Sequence, residues 1–202
     1  MPSILYIIPY LSIGGTEKHL LDLVRGFSDQ YELFLLAPPG ETLNWFQGEK
    51  IAYYPFPRLE QRLVSGLKTF FRHLKEILSG RKIDLIHIHA APELVMLTRM
   101  VAGKIPVVFT VHGFHGPFKA LDYWVCARLS NLFATRVVAV ATAEEEILLK
   151  KGIRKSLIQT IHNGVPDPRQ MTLTKPEIFN SFAPEKTVIG VIARLETTKG
   201  VN

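Results

Sequence analysis

Apolar positions fall into two rhythms along the chain. Short, β-branched runs occur at Ile4–Pro9, Tyr31–Ala37, Ile51–Pro57, Asp84–Ala90, Pro106–His112, Arg136–Thr142, Leu157–Asn163 and Thr187–Arg194, and longer stretches of helical periodicity separate nearly all of them. Several runs are apolar at almost every position, as strands buried on both faces should be. Strands joined through helical crossovers predict an α/β domain, a parallel sheet flanked by helices.

The helical stretches carry their own signals. After Gly14-Gly15, residues Leu20, Leu21, Val24 and Phe27 recur at helical spacing, with Thr16 as the expected N-cap. Thr142 and Glu145 have capping-box spacing just before Ile147, Leu148 and Leu149. Leu59, Leu63, Leu67, Phe70, Leu74, Ile77 and Leu78 share one arc of a helical wheel, while Lys68, Arg72 and Lys75 share the opposite arc and Arg62 lies on the flank. The segment 59–80 is therefore expected to be one amphipathic helix with a basic outer face. Beyond Asn163 the periodicity stops, and Gly164, Pro166, Pro168, Pro176 and Pro184 punctuate the sequence. The expected organisation is an N-terminal domain over 1–164, a linker over 165–186, and the truncated opening of a second domain over 187–202.

Composition adds a few exclusions. With 47% hydrophobic and 21% charged residues the chain has the make-up of a globular protein. Its one cysteine, Cys126, excludes an internal disulfide framework and suggests a reducing compartment. The apolar start has no basic segment before it and is too short to span a bilayer, so a cytoplasmic location is expected. The net charge of +6 is concentrated: between Arg58 and Lys82, seven basic residues face two acidic ones.

In an open parallel sheet, ligands bind at the carboxyl ends of the strands, and that rule selects the polar residues worth weighing. Gly14-Gly15, after the first run and before the first helix, lets a ligand approach backbone N–H groups at the positive end of a helix dipole; the alternative is a tight turn. His112, where a strand gives way to Gly113, is placed to hydrogen-bond a sugar hydroxyl or exchange a proton, or only to hold its own loop. His87 and His89 share one face by alternation and could ligate a metal, or be satisfied buried histidines. Arg194 and Lys199 bracket a short loop where both cations could converge on a diphosphate. Asn163 is a turn residue or part of a cleft wall. Cys126, among apolar residues, reads as packing.

In their order along the chain these pieces resemble a known family. The Gly14-Gly15 loop with Glu17, Asp84-Leu85-Ile86-His87-Ile88-His89, Thr110-Val111-His112-Gly113, Asn163-Gly164-Val165-Pro166, and Ile192-Ala193-Arg194-Leu195 with Lys199-Gly200 resemble a retaining glycosyltransferase of family 4, the group 1 type. The resemblance implies the N-terminal, Rossmann-like half of a GT-B fold. It further implies an acceptor-side domain facing a donor-binding domain, with a nucleotide sugar and a glycan or lipid-linked acceptor as partners. By the same resemblance, Gly14 and Gly15 would contact the donor phosphate, and Arg194 and Lys199 would stabilise the departing diphosphate in place of a metal. His112 would reach the transferred sugar, with Glu17, His89 and Asn163 as cleft wall. No cofactor is implied, nor nucleic acid. Such enzymes serve polysaccharide biosynthesis, including lipopolysaccharide and capsule, and the basic helix adds an expected peripheral contact with the anionic inner face of the plasma membrane. The family's paired glutamates, with seven residues between them, are not reached by Asn202, so these residues alone are expected to be inactive.

Other classes leave different marks. A nicotinamide-dependent dehydrogenase predicts a third glycine in the first loop and an acidic residue ending the second strand, where Ala37-Pro38-Pro39 stands. A metal hydrolase would use His87 and His89, and a non-catalytic sugar- or phosphate-binding module is the remaining alternative.

Overall fold

A computed structural model describes residues 1–114, 118–165, 167 and 187. Met1–Asn163 form one compact unit. The expected linker lies mostly outside the described residues; the expected strand Thr187–Arg194, apart from Thr187, lies outside them too, as do Arg194 and Lys199.

Seven strands form one sheet: β1 (Ser3–Ile7), β2 (Glu32–Ala37), β3 (Ile51–Pro55), β4 (Leu85–His89), β5 (Val107–Val111), β6 (Arg136–Ala139) and β7 (Ile158–Thr160). Their order is β3-β2-β1-β4-β5-β6-β7, and every pair is parallel. Six fall inside runs anticipated from the sequence, and β1 begins one residue before its run, at Ser3. Five helices accompany them: α1 (Gly15–Phe27), α2 (Leu63–Gly80), α3 (Pro92–Ala102), α4 (Lys119–Phe133) and α5 (Thr142–Lys150). A 3-10 helix occupies Glu41–Phe46.

Strand alternation divides the core in two. Leu5, Ile7, Phe34, Leu36, Ile86, Ile88, Val107, Phe109, Val137 and Ala139 point to one face, where Phe70, Leu74 and Ile77 of α2, Leu94 and Val95 of α3, Cys126 of α4 and Leu148 of α5 cover them. Ile4, Tyr6, Leu33 and Leu35 point to the other, against Leu20, Leu21 and Val24 of α1 and Phe46. Cys126 is buried, and burial pushes its thiol up to about 12, as suits packing.

Three local expectations fail for physical reasons. Helix α1 begins at Gly15 with Gly14 as N-cap and no side-chain cap, because the Thr16 side chain is engaged with Tyr10. Helix α5 is capped by Ala141, and Glu145 does not fold back over the helix start; its carboxylate takes Lys155 and the Thr160 hydroxyl instead. The amphipathic segment starts as helix only at Leu63, so Leu59 packs from the preceding turn, and Leu63 and Val64 are 60% and 81% exposed.

Candidate functional site

The carboxyl end of β1 leads into Ser12-Ile13-Gly14-Gly15, and one buried acid holds this loop. Glu17, in the first turn of α1, is 1% exposed and accepts a hydrogen bond from the Ser12 backbone N–H at 2.8 Å. A side chain at Gly14 would place its Cβ 2.9 Å from the Glu17 carboxylate, which would have to shift to admit it. At Gly15 a Cβ would meet nothing within 4 Å, and the residue is exposed. An uncapped helix start beside an open glycine is a place where N–H groups can meet an anion. Glu17→Ala is expected to lower stability by about 2 kcal/mol, because a backbone N–H loses a charged acceptor, with Glu17→Gln costing less because it keeps an acceptor oxygen. Urea denaturation of both variants checks this; equal losses would mean the bond to Ser12 is unimportant.

Four imidazoles meet beside this loop, on the sheet face that α1 covers. The pairing register sets His87 opposite Tyr6 and His89 opposite Thr110. His112, one residue past β5, completes the row. His87 Nε2 and the Thr110 hydroxyl are hydrogen-bonded at 2.8 Å, and His89 Nδ1 lies 3.1 Å from His112 Nε2. His19 comes from α1, its ring centre 5.2 Å from that of His112 and 5.6 Å from that of His89. Its side chain is also hydrogen-bonded to Asn163. Burial, then the neighbouring imidazoles, depress three of them strongly: His87 to about 3, His112 to about 4, and His89 well below its ordinary value. His19 is also lowered, chiefly by burial. The cluster is therefore neutral at pH 7.

Neutrality decides the tautomers. Buried His89 Nε2 has no hydrogen-bond partner. If it carried the proton, a buried N–H would be orphaned, which is costlier than an unsatisfied acceptor. The arrangement of least cost has His89 Nδ1–H donating to His112 Nε2, which leaves Nδ1–H as the donor of His112. His112 thus offers a fixed neutral donor, suited to a hydroxyl or a developing oxyanion.

The backbone around the cluster is specialised as well. Ala90, directly after His89, has φ +67°, a conformation that an L-residue adopts at a cost. Gly113 has φ +92°, and a Cβ there would approach Glu144 to 2.9 Å. Glu144 accepts a hydrogen bond from the Tyr123 hydroxyl, so the loop after His112 rests on α4 and α5.

Among the residues proposed from the sequence, the structure brings Gly14, Gly15 and Glu17 into one loop and joins His89, His112 and Asn163 through His19. Sequence reasoning missed His19, whose place in an ordinary amphipathic helix gives no local signal. His87 and His89 share a face as alternation required, but among the described residues no three His, Cys, Asp or Glu side chains are grouped so as to hold a metal ion. No helix of the described residues is long and apolar enough to cross a membrane.

Comparison with known proteins agrees with this layout. Among solved structures, Anabaena Alr3699/HepE in complex with UDP and glucose is similar, with TM-score 0.64 and 21% identity, over 82% of this chain and 45% of that one. A glycosyltransferase from Rickettsia africae has TM-score 0.65 and 16% identity, over 89% of this chain and 48% of that one. The UDP-GlcNAc 2-epimerase of Neisseria meningitidis bound to UDP-GlcNAc has TM-score 0.55 and 11% identity, over 78% of this chain and 45% of that one. These likenesses establish a sheet shared with the N-terminal half of GT-B enzymes, and the chain spans about half the length of the structures it matches. Among curated proteins none matches the sequence. The sequence model named Glycosyltransferase Family 4 matches residues 13–169, and the chain belongs to that family.

Proposed function

We propose that this chain is the acceptor-side half of a glycosyltransferase that moves a sugar from a nucleotide donor to a glycan or lipid-linked acceptor with retention of configuration. The observation that carries the reading is the junction of His19 with His112, 5.2 Å between ring centres, which sets the open start of α1 beside a neutral imidazole at the carboxyl edge of the sheet. An N–H-lined helix start suits a phosphate, and a neutral donor suits a sugar hydroxyl. Structures of the same fold were solved with UDP and glucose and with UDP-GlcNAc, which supports a nucleotide-sugar partner.

In this reading the bond between the anomeric carbon and the diphosphate breaks, and the acceptor hydroxyl adds on the face the diphosphate leaves. The departing phosphate takes the acceptor's proton, so no protein nucleophile is required. Arg194 and Lys199 supply the positive charge that the diphosphate needs, in place of a divalent metal. Transfer in this reading also requires a donor-binding half. The dehydrogenase, hydrolase and pure binding-module readings lack a comparable observation.

In the transferase that carries this half, His112→Ala is expected to lower kcat by about 100-fold with little change in donor KM, since the donor group acts mainly on the reacting sugar. Release of UDP from UDP-glucose and of GDP from GDP-mannose would be followed. A variant with unaltered kcat on the donor that is turned over would remove His112 from the mechanism.

A further inference from the structure

A second cleft, of about 540 Å³, opens at the carboxyl ends of β2 and β3 and is lined by Pro39, Pro55, Phe56 and Pro57 together with Arg58, Arg62, Arg72 and His73. Gly66 of α2 builds it: a Cβ there would lie 2.9 Å from the Pro57 carbonyl oxygen and 2.8 Å from the Leu59 side chain, so glycine alone lets the segment after β3 lie against the helix. That close approach carries Arg58 and Arg62 to the same opening as Arg72, which stands ten residues beyond Arg62 along α2.

The lining of this cleft carries three arginines and no Asp or Glu. Three guanidinium groups brought to one opening repel each other and focus a positive potential there, and an anion with several acceptor oxygens relieves both effects. Arginine forks match phosphate oxygens better than lysine does. The cleft is also apolar in part, since Pro39, Pro55, Phe56 and Pro57 line it. Inorganic phosphate would leave these residues unused.

We infer that this cleft binds a phosphate group carried on an apolar chain, the phosphate held by Arg58, Arg62 and Arg72 and the first part of the chain lying on Pro39, Pro55 and Pro57. The basic surface read from the sequence therefore divides. Arg58, Arg62 and Arg72 line the cleft, whereas Lys68, Lys75 and Arg81, exposed like Arg62 and Arg72, are absent from its lining. Arg58 Nη2 lies 3.4 Å from the Ser12 hydroxyl, which ties the cleft to the Gly14-Gly15 loop. Only the naming of this ligand as the acceptor rests on the transferase reading.

The test is calorimetric titration of the 202-residue protein with geranyl phosphate, geraniol and inorganic phosphate, each without donor. Geranyl phosphate is expected to bind at least tenfold more tightly than inorganic phosphate, and geraniol to show no saturable binding. Arg58→Gln with Arg62→Gln and Arg72→Gln should weaken geranyl phosphate binding at least tenfold, whereas Lys68→Gln with Lys75→Gln and Arg81→Gln, an equal change of charge, should alter it less than threefold. Thermal unfolding of each variant confirms that it is folded. Equal losses in the two triple variants would show diffuse surface attraction and overturn the site, as would equal affinity for inorganic and geranyl phosphate, or no saturable binding by the folded parent. Because donor is absent, any of these results leaves the His112 test standing, and a failed His112 test leaves the binding result standing.

Discussion

Lowering the pH from 7.5 to 5.5 is expected to remove on the order of 4 kcal/mol from the folding stability of this domain. The cause is the buried row His87, His89 and His112, each held well below its ordinary value by burial and by its neighbours. Well above pH 6.5 these side chains are neutral in both the folded and the unfolded chain, and they make almost no pH-dependent contribution. Below it the unfolded chain takes up protons that the folded one refuses, so stability falls as the pH falls, and continues to fall toward the folded values of about 4 and about 3 for His112 and His87. At pH 5.5 each such histidine costs roughly 1–2 kcal/mol, a large share of a typical domain's 5–15 kcal/mol for three together. His19, also lowered, acts in the same direction. Urea unfolding at the two pH values measures the loss, and His87→Gln should reduce it by roughly 1–2 kcal/mol, since it removes one titration while a polar group remains beside Thr110. A loss below about 0.5 kcal/mol would mean that the histidines are not buried together as described.

Gly40→Ala should be the most damaging methyl addition in the domain, at about 3 kcal/mol or more. Its φ is extended, so conformational freedom is not the reason. The reason is contact: a Cβ there would fall onto the Leu11 carbonyl oxygen, 2.8 Å from its carbon and 3.0 Å from the Leu11 Cβ. Leu11 is fully buried, and its carbonyl already accepts the Thr42 N–H at 3.1 Å, so the backbone cannot move aside without breaking that bond. The loops after β1 and β2 are thus pressed together next to the site. Gly26→Ala is the control: a Cβ there meets nothing within 4 Å, the position is helical, and a gain of about 0.5–1 kcal/mol is expected. Thermal or urea unfolding of the pair should give opposite signs; two small effects of equal sign would refute the contact argument.

Much of this architecture is legible in the chain because its causes are local. Runs such as Leu33–Ala37 and Ile86–His89 announce doubly buried strands, and alternation alone sets His87 and His89 on one face. What cannot be read is what depends on where separate segments meet. Thr16 and Thr142 have the right chemistry for caps, yet Tyr10 engages the first, and Lys155 and Thr160 draw away the Glu145 that would complete a capping box with the second. The meeting of His112 with His89 needs the β4–β5 register, and that of His19 with both needs the packing of α1 on the sheet. Arg58, Arg62 and Arg72 read as part of a basic surface until the contact at Gly66 draws them to one cleft. Arg194 and Lys199 lie outside the described residues, so their part rests on resemblance.

The position of β1 also bears on how the chain is made. It pairs with β2 on one side and β4 on the other, and the partner of Ile4 on that second side is Leu85. At about 5–20 residues per second, ribosomal synthesis leaves roughly 4–16 s between the two strands. During that interval the five buried residues Ser3–Ile7 present an open, almost wholly apolar edge on the nascent chain. Synthesis rate and chaperone supply over the first ninety or so residues should therefore govern the yield of folded protein more strongly than the same factors acting later.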